Sequence, residues 1–209
     1  MLKSQRIFEK CAMSCNYELH CDISEDEKSS KQYFLITKKY KTLAQIFIGR
    51  HAMQSSIVID TSLGKVAITE DGGYIIKVTF DDEIPSCDSL EQASPVLRNA
   101  ARQILEYCEG RRTGFELPLN PEGSDFQKNV WEALQLIPYG ATASYKEIAG
   151  NIGQPGASRA VGSANNKNPI LIIIPCHRVI GADGSLVGYA AGLQVKEKLL
   201  ALEKATRPA

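Results

Sequence analysis

The sequence predicts a mixed architecture, α/β plus α: an N-terminal α/β domain with a small antiparallel sheet, then a mainly helical domain bearing a helix-turn-helix. Three features predict it. Residues 55–83 hold three short β-rich runs punctuated by Ser-Leu-Gly and Glu-Asp-Gly-Gly. Residues 94–110 show apolar side chains at helical spacing. From residue 124 onward, two capping-box signatures and a Gly-Gln-Pro-Gly turn mark a succession of short helices.

In chain order, residues 1–52 read differently from the rest: a charged, turn-like patch at 21–32 interrupts apolar segments of no steady period. They form an extension of uncertain order, and Met53 is a candidate natural start. The three β-rich runs follow as a meander. In the 94–110 helix, Val96, Ala100, Ile104 and Cys108 share a face and Gly110 supplies the C-cap. The stretch "GFELPLN" reads as a loop and short strand. Ser124 with Gln127 opens a helix presenting Phe126, Val130, Trp131, Leu134 and Ile137; Ser144 with Glu147 opens the next. The turn at 153–156 leads into "ASRAVGSANN", and the two short helices around it form the helix-turn-helix candidate. Asn168-Pro169 ends the second of them. "ILIIIP" then reads as a buried strand, and the last helix turns Leu193, Leu199, Leu200 and Leu202 toward the core. The domains are therefore 1–52 (extension), 53–120 (α/β) and 121–209 (helical).

Composition sets limits. An apolar fraction of 44% and a charged fraction of 23% belong to an ordinary globular chain with enough apolar residues for a real core. Formal net charge is zero, which excludes a bulk polyelectrolyte, yet its distribution is uneven. Residues 53–140 carry 7 Lys/Arg against 14 Asp/Glu, and 141–209 carry 8 against 4. A positive C-terminal third suits a phosphate backbone, although ordinary surface variation accounts for it equally well. No segment approaches the ~20 apolar residues that span a bilayer. The N-terminus lacks a secretory apolar core, so an intracellular, cytoplasmic protein with free thiols is expected. Cys11, Cys15, His20 and Cys21 are zinc-capable ligand types, but no second C-x2-C follows, and no metal is expected.

The chemistry concentrates at "IIIPCHR", where Cys176 and His177 follow the apolar run. A thiolate is the reactive form, an adjacent imidazole can take the thiol proton, and a carboxylate can orient the imidazole. Glu203, 26 residues beyond His177, is the candidate orienter. Taken alone, the motif reads as buried packing more often than as a nucleophile.

The longer constellation decides. "SYKEIAG", "SRAVGSANNKNP", "IIIPCHRVIGADGSLVGYAAGL" and "KEKLLALE", in this order and spacing, resemble the O6-alkylguanine-DNA alkyltransferases (methylated-DNA–protein-cysteine methyltransferases). The resemblance covers about residues 53–205. It implies a winged-helix-like C-terminal domain and single-use transfer of an alkyl group from O6-alkylguanine in DNA to Cys176, with O4-alkylthymine as a candidate second lesion. No cofactor is implied. His177 would activate Cys176 by way of a water, Glu203 would fix the imidazole tautomer, Asn168 would brace the turn, and Tyr145 would donate toward the departing guanine. The partner is double-stranded DNA, approached through its minor groove by a monomer. Arg159 would fill the space left by a flipped nucleotide. Ala157, Ser158 and Gly162 suit close approach, and Lys146 and Gln154 sit where relatives contact phosphate. Tyr189, Val179 and Ala190 would line the guanine pocket.

Two positions depart from the family pattern. Leu171 stands where many relatives have proline, and Ala190-Ala191 replaces a small Ser/Gly pair, which bears on how bulky an alkyl group fits. Three rivals stand beside this reading: a non-enzymatic lesion sensor, which usually has tryptophan in place of the nucleophile; a methylation-triggered transcription activator, which needs a separate DNA-binding and zinc domain; and a cysteine hydrolase that turns over repeatedly.

Overall fold

The computed structural model describes residues 54–80 and 89–206. The extension with its Cys11, Cys15, His20 and Cys21 cluster, and the question of a start at Met53, lie outside the described residues. The described chain falls in one compact unit, Ala52–Ala209.

The meander forms as expected. Strands β1 (Ser55–Thr61), β2 (Gly64–Asp71) and β3 (Tyr74–Thr79) make an antiparallel sheet in that order, with Ile57 opposite Ile68 and Ile59 opposite Val66. Helix α1 (Pro95–Cys108) crosses the sheet, capped at its start by the Ser94 hydroxyl and ended by Gly110 at φ 72°. Leu97, Ala100, Ile104 and Tyr107 on its buried face close the core against Ile57, Ile68, Ile75 and Val78.

Strand β3 holds two segments from outside the meander. Ile75 donates to the Pro118 carbonyl and accepts from Asn120, so "GFELPLN" contributes a single bridge at Leu119 and no strand of its own. Further along, the Val78 N–H donates to the Pro169 carbonyl at 2.9 Å and the Val78 carbonyl accepts from Leu171 at 2.9 Å. The sheet thereby holds the start of the "ILIIIP" run.

That run corrects the sequence reading. Only Ile170 makes a bridge; the chain then turns on itself, with Ile173 N–H on the Leu171 carbonyl, Ile174 N–H on the Ile170 carbonyl, and Ile172 at φ 69°. Branched apolar residues suit a buried strand, but here burial on every side comes from a compact turn, so the pattern is satisfied without a ladder. Pro175 ends no strand pairing; it precedes the 3-10 turn Cys176–Arg178.

The helical part follows its caps. Helices α2 (Asp125–Gln135) and α3 (Tyr145–Asn151) both open on complete capping boxes, Ser124 with Gln127 and Ser144 with Glu147. Helix α4 (Ser158–Asn166) follows α3 across the turn at Gly153, and the Trp131 Nε1–H donates to the Ala164 carbonyl at 3.0 Å, locking α2 onto α4. Two-residue strands β4 (Ala143–Ser144) and β5 (Val179–Ile180) pair in parallel, which sets the start of α3 beside the residues after Cys176.

Helix α5 (Leu193–Ala205) buries Lys196, Leu199 and Glu203, one stripe at helical spacing. Leu193 is exposed, contrary to expectation, while Leu200 and Leu202 are half-buried. The inward face is set by the two polar side chains, whose bonds are described below. Among the described residues, no helix is long and apolar enough to cross a membrane.

Candidate active site

Cys176 begins the 3-10 turn and is 1% exposed. Its position is fixed by Asn168, which ends the loop after α4. The Asn168 side-chain amide donates to the Ile174 carbonyl at 2.8 Å and to Cys176 Sγ at 3.1 Å, and its oxygen accepts from the Ile170 N–H at 3.0 Å. One side chain thus ties together both ends of the apolar turn and the thiol. Asn165 of α4 adds a bond to the Cys176 carbonyl at 3.4 Å.

His177 does not bond to Cys176. Its Nε2 faces Glu203 Oε1 at 2.6 Å, and both side chains are fully buried. Glu203 is surrounded by donors. The Tyr107 hydroxyl, from α1, donates to Oε1. Arg178 Nε lies 3.0 and 3.1 Å from the two oxygens, and the Gly140 N–H reaches Oε2 at 2.8 Å. Burial would raise the Glu203 carboxyl, but hydrogen bonds from His177 and Tyr107, with the Arg178 charge, bring it down to about 2. The carboxylate is therefore ionised and His177 Nε2 carries the proton. Nδ1 is left as a lone pair, buried and without a protein partner among the described residues.

Burial holds His177 below its ordinary value against the opposing pull of Glu203, so the imidazole is neutral near pH 7. Burial also pushes the Cys176 thiol up to about 11, opposed by the Asn168 amide and the positive charge of Lys196. A resting thiol, a neutral imidazole with one unpartnered nitrogen and an ionised carboxylate behind it are the parts of a proton-acceptor chain.

Lys196 is fully buried and spends its ammonium on backbone oxygens: Val179 and Val187 at 2.6 Å each, and Gly188 at 3.4 Å. This ties β5 to the loop that carries Tyr189. The Tyr189 ring is buried, edge-on to His177 with centroids 6.4 Å apart, and its hydroxyl has no partner among the described residues. Tyr145, at the start of α3, donates to the Val187 carbonyl at 3.2 Å and stands close enough to Cys176 for a thiolate to raise its phenol further, beyond the rise that burial causes. Its ring lies beside Gly162, where an added Cβ would meet it at 3.7 Å.

Cys176, His177, Asn168 and Glu203 are thus brought together, with Tyr145, Tyr189 and Val179 around them. Ala190 is exposed at the rim. Arg159, Lys146 and Gln154 are exposed on the helix-turn-helix, and Ala157, Ser158 and Gly162 are half-buried along α4; none of these bonds to the Cys176 group. A groove of about 400 Å³ lined by Leu117, Leu119, Lys128 and Trp131 includes none of the site residues. Tyr107, Arg178 and Lys196 were not anticipated. Only Lys196 left a usable signal, since it shares the 196/199/203 stripe with Glu203.

Comparison with known proteins identifies relatives of the chain. Residues 125–205 match the family model described as "6-O-methylguanine DNA methyltransferase, DNA binding domain", and residues 56–121 match "6-O-methylguanine DNA methyltransferase, ribonuclease-like domain". A methylated-DNA–protein-cysteine methyltransferase of Methanosarcina barkeri is 61% identical over 122 residues, 58% of this chain and 76% of the relative. The protein of that name from Methanosarcina acetivorans is 49% identical over 149 residues, covering 70% and 96% respectively. Among solved structures, a Mycobacterium tuberculosis O6-methylguanine methyltransferase is similar at TM-score 0.67 and 42% identity, over 75% of this chain and 96% of the other. The Mycobacterium tuberculosis OGT in complex with DNA is similar at TM-score 0.64 and 43% identity, over 73% and 94%.

Proposed function

The chain belongs to the 6-O-methylguanine DNA methyltransferase family, and on that premise we propose that Cys176 is the single-use acceptor of an alkyl group taken from O6-alkylguanine in double-stranded DNA. The activity is direct-reversal repair by a methylated-DNA–protein-cysteine methyltransferase. The observation that carries the assignment of Cys176 is its bond to Asn168 beside the His177–Glu203 pair.

The step balances without a cofactor. The Cys176 thiol gives its proton, relayed by a water, to His177 Nδ1, and Glu203 stabilises the imidazolium that results. The sulfur forms a bond to the alkyl carbon as the bond from that carbon to O6 breaks, and the electron pair leaves with the guanine. The departing base takes up a proton, from the Tyr145 hydroxyl in the first instance, with solvent and His177 restoring the phenol. The products are guanine and an S-alkylcysteine. A thioether is a poor leaving group, so the thiol is not regenerated.

Cys176 is buried, so the target nucleotide must leave the base stack to meet it. The exposed helix-turn-helix supports a role for α4 in this: Arg159 enters the space the nucleotide vacates, Ala157, Ser158 and Gly162 allow close approach in the minor groove, and Lys146 and Gln154 hold phosphates. Tyr189, Val179 and Ala190 enclose the base. The division into 53–120 and 121–209 belongs to the same proposal and is supported by the separate family matches to either side of residue 121. A monomer in the cytoplasm completes it.

Titrating the protein against excess duplex containing O6-methylguanine tests the reading. One lesion is lost per protein molecule, and Cys176→Ala repairs none. Loss of many lesions per molecule, or hydrolysis of small esters with turnover, would point to the hydrolase; tight binding with no lesion lost would point to a sensor.

A further inference from the structure

Tyr107 is 0% exposed on α1, within the sheet-bearing part of the chain, 96 residues from Glu203 in sequence. Its ring is held by Phe115, at a centroid distance of 5.1 Å, and by Tyr139, edge-on at 5.8 Å. Packing alone would be served by phenylalanine. The hydroxyl, however, donates to Glu203 Oε1, the same oxygen that receives His177 Nε2, and its own oxygen lies 3.3 Å from that nitrogen.

From this shared oxygen we infer that Tyr107 is a positioning residue for alkyl transfer: its hydroxyl competes with His177 for Glu203 Oε1 and so sets how strongly the carboxylate pulls on the imidazole. A carboxylate whose charge is spread over more donors stabilises an imidazolium less. The consequence is functional. His177 must be neutral to receive the Cys176 proton, and an undiluted carboxylate would keep it protonated at higher pH. Tyr107 thus lets Glu203 fix the Nε2–H tautomer without raising the basicity of the ring so far that the acceptor nitrogen is already occupied.

The remaining charged and titratable groups around His177 do not substitute for it. Glu203 and Lys196 face it from α5, Arg178 and Cys176 flank it in its own turn, and Tyr189 meets its ring edge. Arg178 and Gly140 also donate to the carboxylate, but Gly140 bonds only to Oε2 and Arg178 is divided between both oxygens. Tyr107 is the donor committed to the oxygen that His177 uses. The inference rests on the reading of Cys176 as the alkyl acceptor.

Two variants of the full chain test it. Tyr107→Phe keeps the ring packing and removes the donor. Replacement of Tyr107 by 3-fluorotyrosine, a more acidic phenol of nearly the same size, strengthens the donor and covers the case in which the phenylalanine variant folds poorly. Single-turnover methyl transfer from an O6-methylguanine duplex is followed against pH, and the His177 ring is titrated by NMR in the unmodified protein. For Tyr107→Phe the acidic limb and the ring titration move up together by roughly one unit, so transfer on that limb is up to about tenfold slower at a given pH while the alkaline plateau stays within about twofold of the parent. For 3-fluorotyrosine both move down. A residue that only packs would lower stability and leave both profiles where they were, and that result overturns the inference. The ring titration reads the inference even if the parent protein transfers no methyl group, an outcome that would instead remove the reading of Cys176.

Discussion

Asn168 donates to Cys176 Sγ at 3.1 Å while its amide oxygen accepts the Ile170 N–H at 3.0 Å. The residue that touches the thiol is therefore the residue that closes the turn delivering it. Replacing Asn168 by Ala leaves the Ile170 N–H buried without a partner and the Ile174 carbonyl with the Cys176 N–H alone, at a cost of about 1–3 kcal/mol. Urea unfolding of Asn168→Ala is expected to show a loss within that range, together with at least tenfold slower methyl transfer.

Stability should depend on acid in a two-part manner. The Glu203 carboxyl sits at about 2 instead of 4.5, so between those values the unfolded chain binds more protons than the folded one. Its contribution is complete above pH 4.5 and is lost as pH falls toward 2. His177, held below 6.5 by burial, acts with the same sign from about pH 6.5 downward. Denaturant midpoints are thus expected to be level at neutral pH, to decline below about 6.5 and to steepen below 4.5. Glu203→Gln removes the steeper part and, by leaving buried Arg178 without its carboxylate, lowers stability at pH 7 by about 3 kcal/mol.

Ile172 is fully buried at φ 69°, a left-handed conformation that costs a β-branched residue roughly 1–2 kcal/mol. Both Ile172→Ala and Ile172→Gly open a cavity and destabilise. Glycine pays no conformational strain there, so the usual order reverses: the glycine variant is expected to be more stable than the alanine variant by about 1 kcal/mol in urea titrations.

Much of this was legible in the sequence because it is local. The capping boxes at Ser124 and Ser144, the Gly110 cap and the β1–β3 meander each depend on residues within a few positions of one another. Cys176, His177 and Glu203 stand out from the Cys-His motif and its spacing, Asn168 only through the longer ordered constellation, and the fold brings the four together. The apolar run at 170–174 misled because branched side chains report burial, and burial here is served by a turn that Asn168 holds from outside the run. Tyr107 and Arg178 were invisible for another reason, and Lys196 showed only as a member of the buried α5 stripe. Their partners lie 96, 25 and 17 residues away, and only the packing of α1 and α5 against the Cys176 turn makes those bonds.

Arg159 is exposed and has no bonded partner among the described residues, so its removal should leave stability unchanged. If it fills the space of a flipped nucleotide, Arg159→Ala slows methyl transfer from duplex DNA by tenfold or more, since unstacking costs a few kcal/mol. Transfer from the free O6-methylguanine base, which needs no flipping, should stay near the parent rate. Equal loss on both substrates would place Arg159 in the pocket chemistry instead.

Alkyl transfer by this chain ends on one thiol, once. Cys176 and Cys108 are both buried free thiols, so the decisive measurement is where a label goes. The protein is mixed with excess duplex bearing O6-trideuteromethylguanine, digested, and mapped by mass spectrometry. One trideuteromethyl group per molecule is expected, on the peptide containing Cys176, with guanine restored in the duplex. Label on Cys108, or repair with Cys176 unlabelled, would overturn the assignment of Cys176 as the acceptor.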